Sequence, residues 1–402
     1  MENERQLIFS SLPDSFPTSL NPLYRAREAA LNRGDSIIDL ISGNVNQHGV
    51  YFPEDVLRDI FLRVLPMARI YQPDSFGQPV AREAISKYYA GHDLGIPPNR
   101  LLLTPGTSVS YLYCFQLLAN PGDEVLCPSP SYPLFETIAR LSRVELTTYR
   151  LVESKGWAID LDYLESRLTT RTRAIVVISP HNPTGVVTSA AQLTELAVIA
   201  RRHHLPIISD EVFSEFLFKS EELPRPAGTD APLVFTLNGL SKMYALAGMK
   251  LGWIAVTGDD WLVRKSVRAL EMISDTFLPV NEVVQFAVPA VFELGGEFLR
   301  RYQEWVNACR EIAISSFMNC RKLEFVSPQG GFYLTARVKG EAVGEDQLVI
   351  SILENCKALV HPGYFYDIPP SHIVMSFVQQ PEILRKTMES IAEFINEETS
   401  PS

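Results

Sequence analysis

Lys242 lies in the stretch Asn238-Gly239-Leu240-Ser241-Lys242-Met243, between two apolar runs, Leu233 to Leu237 and Leu251 to Val256, that read as buried strands. An amine at the mouth between two such strands is poorly solvated. That lowers its pKa and leaves a nucleophile able to join covalently to a carbonyl. The plainer alternative is a side chain whose stem lies along apolar surface while its charge stays in water. The choice turns on what other chemistry the chain brings to the same place.

Three further segments offer such chemistry. Thr104-Pro105-Gly106-Thr107-Ser108 opens a helix with small residues and hydroxyls, so free N–H groups and the positive helix end suit a phosphate; the same residues also serve simply as a helix cap. Ser179-Pro180-His181-Asn182-Pro183-Thr184-Gly185 is a rigid turn that presents the Asn182 amide after a buried strand. Ser209-Asp210-Glu211-Val212-Phe213 sets Asp210 at the end of a buried strand, where a carboxylate must find a partner. A pyridinium N–H is one that keeps it ionised; a helix cap or an internal ion pair are the others. Ser241, beside Lys242, and Lys250, eight residues on, add a hydroxyl and a second cation for a phosphate.

The elements that must position these groups are readable from about residue 100, where short apolar runs alternate with longer amphipathic stretches. Leu101-Leu102-Leu103 leads to a helix after Gly106, Glu124 to Cys127 to one after Tyr132, and Ala174 to Ile178 to one from about Ala190 to His203. Strands at Pro206 to Ser209, Leu233 to Leu237 and Leu251 to Val256 follow. Continuous apolar strands separated by helices predict an α/β fold with a mostly parallel sheet covered on both faces. Such sheets bind ligands outside the carboxyl ends of their strands, where all four segments fall. Beyond about residue 290 the texture changes to a long amphipathic helix from about Gly295 to Met318, short strands near Gly331 to Arg337, Leu359 to His361 and Val374 to Phe377, and a closing helix from about Pro381. The expected division is an N-terminal segment, 1–45, packing on a small α+β C-terminal domain, 291–402, beside a large cofactor-binding domain, 46–290, with a cleft between.

Composition bounds the function. A chain of 402 residues, 46% hydrophobic and 21% charged, can bury a large core, and its net charge of -11 without a basic cluster argues against nucleic acid as a partner. No apolar stretch reaches the roughly 20 residues of a membrane helix, and Met1-Glu2-Asn3-Glu4-Arg5 lacks a signal-peptide pattern, so a cytoplasmic location is expected. The five cysteines are scattered without metal-ligand spacing and read as reduced core residues; no metal site is expected. No GxGxxG opens a βαβ unit, which excludes a nicotinamide-binding Rossmann protein.

In combination, from Gly43-Asn44 to the last helix, these motifs resemble the class I/II aminotransferases, the aspartate-aminotransferase-like enzymes that use pyridoxal 5'-phosphate. The resemblance implies a sheet of the seven-stranded type, a Schiff base on Lys242, Asp210 paired with the pyridine nitrogen, and Asn182 bonded to the phenolic oxygen. It further implies that Tyr132, in Ser129-Pro130-Ser131-Tyr132-Pro133, stacks on the ring, and that Gly106, Thr107, Ser108, Ser241 and Lys250 surround the phosphate. Tyr71 matches the tyrosine that reaches the phosphate of the neighbouring subunit, which implies a homodimer with shared active sites. The activity implied is transfer of an amino group from an amino acid or amine to a 2-oxo acid. A β-eliminating lyase on the same scaffold is the alternative, and a non-catalytic cofactor-binding module a further one, against which the short stretch before Gly43, without a helix-turn-helix pattern, argues.

The chain departs from the family pattern at several positions. Phe213 replaces a tyrosine that donates to the phenolic oxygen, so the proton on the lysine–cofactor link is expected to be held more tightly. Lys250 replaces an arginine, a point charge for a bidentate fork, and Gly239 stands where many relatives have serine. Val374 falls where the family arginine clamps the substrate α-carboxylate; Arg25, backbone donors near Gly43 and Asn44, or a donor without that carboxylate are the remaining options. Asp275-Thr276-Phe277 holds no arginine for a distal carboxylate, so dicarboxylic specificity is not expected. The aromatics of Gly331-Phe332-Tyr333 and Gly363-Tyr364-Phe365 read equally as substrate contacts or as core.

Overall fold

The computed structural model describes residues 19–218, 222–277, 280–340 and 344–398; the opening Met1 to Arg5 and the first part of the 1–45 segment lie outside them. Six of the apolar runs and a seventh, more polar strand that the sequence reading did not name, Glu145–Val152, form one sheet, in the order Leu101–Thr104, Gly252–Gly258, Leu233–Gly239, Ile207–Asp210, Thr172–Ile178, Glu124–Ser129, Glu145–Val152. An eighth, two-residue strand, Ala158–Ile159, extends the edge. The five central and outer strands from Leu233 to Glu145 run parallel, and Gly252–Gly258 lies antiparallel between its two neighbours. All of these parallel strands but the outer Glu145–Val152 are buried on both faces, which is why they read as unbroken apolar runs. Alternate side chains enter two separate cores: Ala174, Val176 and Ile178 meet Tyr111, Phe115 and Phe135 on one face, while Ile175 and Val177 meet Leu193 and Leu196 on the other. The helices supplying those partners are Thr107–Leu118 and Leu134–Ser142 on the first face and Ala190–Arg202 on the second.

A second sheet of four short antiparallel strands, in the order Leu323–Phe325, Tyr333–Val338, His372–Ser376, His361–Pro362, packs with the helices Gly296–Met318, Glu345–Cys356 and Pro381–Glu398 around its own core. The N-terminal helix Pro22–Asn32 contacts Glu345–Cys356, and Ile38–Asp39 pairs in parallel with Ala358–Leu359. The Leu40 carbonyl then accepts a bond from the Ser376 N–H, tying residues 38–40 to this sheet. In its register Tyr333 faces Ser376, Thr335 faces Val374, and Val374 faces His361 across the other edge. Among the described residues no helix is long and apolar enough to cross a membrane.

Candidate active site

A cavity of about 220 Å³ opens at the carboxyl ends of the parallel strands and reaches the small sheet at Tyr333. Lys242 enters it from a single helical turn, Leu240–Met243, that follows directly on Leu233–Gly239. The antiparallel neighbour forces a small residue at the junction: a Cβ on Gly239 would lie 2.9 Å from the Leu251 carbonyl oxygen and 3.0 Å from the Gly252 Cα. A serine there requires the two strands to move apart. The Lys242 amine donates to the Gly43 carbonyl at 2.9 Å and lies 6.0 Å from the ring centres of both Phe213 and Phe332. Burial in this setting pulls its pKa down to about 8. At pH 7 about one amine in ten is then neutral, against about one in a few thousand for an ordinary lysine.

Asp210 is the last residue of its strand, one step further along than the apolar run suggested. Its Oδ1 accepts from the Val212 N–H at 3.1 Å and its Oδ2 from the Tyr111 hydroxyl at 2.9 Å. Burial outweighs these bonds and pushes the carboxyl up to about 6. A cationic partner in the cavity would reverse that shift. Asn182 projects from the turn after Thr172–Ile178, and its buried Oδ1 has no hydrogen-bond partner. The turn itself is braced by His181, whose Nδ1 lies 2.9 Å from the Thr184 hydroxyl; burial depresses the His181 pKa to about 3, so the imidazole is neutral.

The helix Thr107–Leu118 begins at the cavity. Gly106 caps it without a side chain, nothing stands within 4 Å of where its Cβ would be, and Thr107, Ser108 and Ser241 complete the rim. The first N–H groups of that helix are a positive pole with no side-chain acceptor of their own. Tyr132, 43% exposed, lines the cavity from the loop before Leu134–Ser142.

Other sequence candidates sit elsewhere. Lys250, in a left-handed turn, is exposed and outside the cavity lining, and Tyr71 is 78% exposed and also outside it. Gly43 meets Lys242 through its carbonyl, and a Cβ there would come 2.6 Å from the Tyr333 hydroxyl; Asn44 is exposed, its side-chain oxygen accepting from the Asn46 N–H. Arg25 is exposed and does not line the cavity. One lining tyrosine, Tyr111, escaped the sequence reading. Tyr111 stands one helical turn beyond Thr107 and so faces the same way, a spacing that was available. Tyr333 was equally readable as core, and only the meeting of the two sheets turns it into the cavity.

The model of the family "Aminotransferase class I and II" matches residues 64–391, so this chain belongs to the class I and II aminotransferases, which are pyridoxal-phosphate-dependent transaminases. Among its relatives, the glutamate-pyruvate aminotransferase AlaA of Escherichia coli (strain K12) is 30% identical over 391 residues, 93% of this chain and 94% of the relative. The alanine aminotransferase of Mycobacterium bovis is 30% identical over 98% of this chain and 94% of its own length. Among solved structures, the alanine aminotransferase of Pyrococcus furiosus superposes with a TM-score of 0.89 at 25% identity, covering 97% of this chain and all of the other.

Proposed function

We propose that this chain carries pyridoxal phosphate on Lys242 and exchanges an amino group between an amino acid or amine donor and a 2-oxo acid. The observation that carries the reading is a conjunction in one cavity: a desolvated lysine, a buried carboxyl, the Asn182 amide, whose N–H can donate, and an open helix N-terminus. Each answers a different group of the cofactor: aldehyde, pyridine nitrogen, phenolic oxygen and phosphate.

When bound, the cofactor supplies a ring that takes up the electron pair left on the donor's Cα as its proton departs. Asp210, ionised against a protonated ring nitrogen, keeps that ring electron-poor, and the Tyr111 hydroxyl holds the carboxylate in place. Lys242, its pKa near working pH, receives the Cα proton and returns it on the cofactor side. Tyr132 covers the ring face and fixes its plane; Asn182 orients the phenolic oxygen. Gly106, Thr107, Ser108 and Ser241 hold the phosphate, with Lys250 as an outer cation. Tyr71, exposed on its own chain, is assigned to the phosphate of a second copy in a homodimer with shared sites. Borohydride reduction of the cofactor-loaded protein followed by peptide mass mapping should place a phosphopyridoxyl group on Lys242; a label on another lysine rejects the assignment. Release of ammonia and pyruvate from donors in the absence of any 2-oxo acid would instead mark an eliminating lyase.

A further inference from the structure

Among the described residues, the side of the cavity formed by the small sheet presents no charge to a substrate. Directly paired residues of antiparallel strands project to the same face. The register therefore puts Tyr333, Thr335, Val374, Ser376 and His361 on one face, and it is this face that meets the cavity at Tyr333 and the large sheet's loops at Thr335, whose hydroxyl donates to the Pro183 carbonyl at 3.0 Å. Val374, at its centre, is buried. His361 is held between two phenols, its Nε2 2.9 Å from the Tyr24 hydroxyl and its Nδ1 2.9 Å from that of Tyr366. Burial pulls its pKa down to about 4, so the imidazole is neutral. The charged group whose field reaches Tyr24, His361 and Tyr333 is an anion, Asp39, itself bonded to the N–H groups of Ile41 and Ser42. Arg27 acts on Tyr24 alone among these. Among the described residues, Lys242 is the one cation lining the cavity, and it is committed to the cofactor.

Resting on the transaminase reading above, we propose that the site binds the carboxylate beside the reacting carbon without a cationic clamp, through neutral phenol and backbone donors, and so takes primary amines about as readily as α-amino acids. An amine R–CH₂–NH₂ then leaves as the aldehyde R–CHO while the 2-oxo acid leaves as the amino acid, which balances the exchange.

Equilibrium binding to the full-length apoprotein tests this without turnover. The probes are two reduced cofactor conjugates, N-phosphopyridoxyl-L-alanine and N-phosphopyridoxyl-ethylamine, which differ by one carboxylate. A buried pair of a cation with the carboxylate, charged on both partners, is worth tenfold or more in affinity. The expected ratio of dissociation constants is below tenfold; an alanine conjugate bound tenfold or more tightly overturns the proposal, because a cation must then reach the carboxylate from a second copy or from outside the described residues. Val374→Arg should raise the preference for the alanine conjugate by tenfold or more while leaving the ethylamine conjugate within about threefold; a folded variant with an unchanged ratio also overturns it. Should that variant not fold, the wild-type ratio decides. Failure of both conjugates to bind would reject the cofactor assignment itself, a separate outcome from either ratio.

Discussion

The two sides of the cavity are built by different rules. On the large-sheet side every reactive group stands at the end of a buried strand or the start of a helix, and burial moves its ionisation: Asp210 up to about 6, Lys242 down to about 8. On the small-sheet side Tyr333 lines the cavity, the residues that share its face, Thr335, His361 and Val374, are neutral, and hydrogen bonds among phenols and an imidazole take the place of charge. Under the proposed function, chemistry common to every substrate falls to the large-sheet side, while the neutral side meets whatever distinguishes one substrate from another. The difference teaches that membership of a family of known chemistry fixes the first side and leaves the second open.

Perturbing each side should therefore give effects of different size and kind. Lys242→Ala should lower turnover by at least about 10⁴-fold, since it removes both the tether and the proton carrier; a purified variant assayed for keto-acid-dependent amino transfer checks it. Asp210→Asn should cost about 10²- to 10³-fold in kcat. The wild-type protein should show the corresponding pH dependence: Asp210 must be ionised to meet a protonated ring, so cofactor affinity is full above pH 6 and falls as pH drops through about 6, as a spectroscopic titration of apoprotein reads directly. Tyr111→Phe removes a bond to the ionised form and should move that midpoint upward by about one unit, equal to about tenfold in affinity at low pH. Phe213→Tyr, by restoring a donor to the phenolic oxygen, should lower the pKa read from the absorbance of the lysine-bound cofactor by about one unit; an unusually low value in the wild-type protein would contradict the role given to Phe213. Tyr333→Phe, on the neutral side, should have the smallest effect, raising KM about 2- to 10-fold with kcat nearly constant, as expected for loss of one neutral hydrogen bond.

Most of the large-sheet side was legible because it is local. Lys242, Asp210 and Asn182 each follow an apolar strand within a few residues, and Gly106, Thr107 and Ser108 open the helix that follows another, so strand prediction alone brings them to one edge. The strand limits moved by one or two residues, which mattered only for Asp210. Contacts between distant parts of the chain were not legible. Tyr111 reaches Asp210 across 99 residues and Gly43 reaches Lys242 across 199. Lys250, read from sequence as a phosphate neighbour, has a left-handed backbone and an exposed side chain outside the cavity lining, and its outer place at the phosphate belongs to the proposal.

What the sequence by itself determined is the kind of fold and the placing of the reactive groups along strand ends, because hydrophobic periodicity and backbone hydrogen bonding act over a few residues. Only the tertiary structure decided that Gly239 has no room for a side chain, that Tyr333 turns into the cavity, and that His361 and Val374 share its face. Those outcomes depend on how two sheets meet and on a strand register set by pairing between segments far apart in the chain, and no local pattern carries that register.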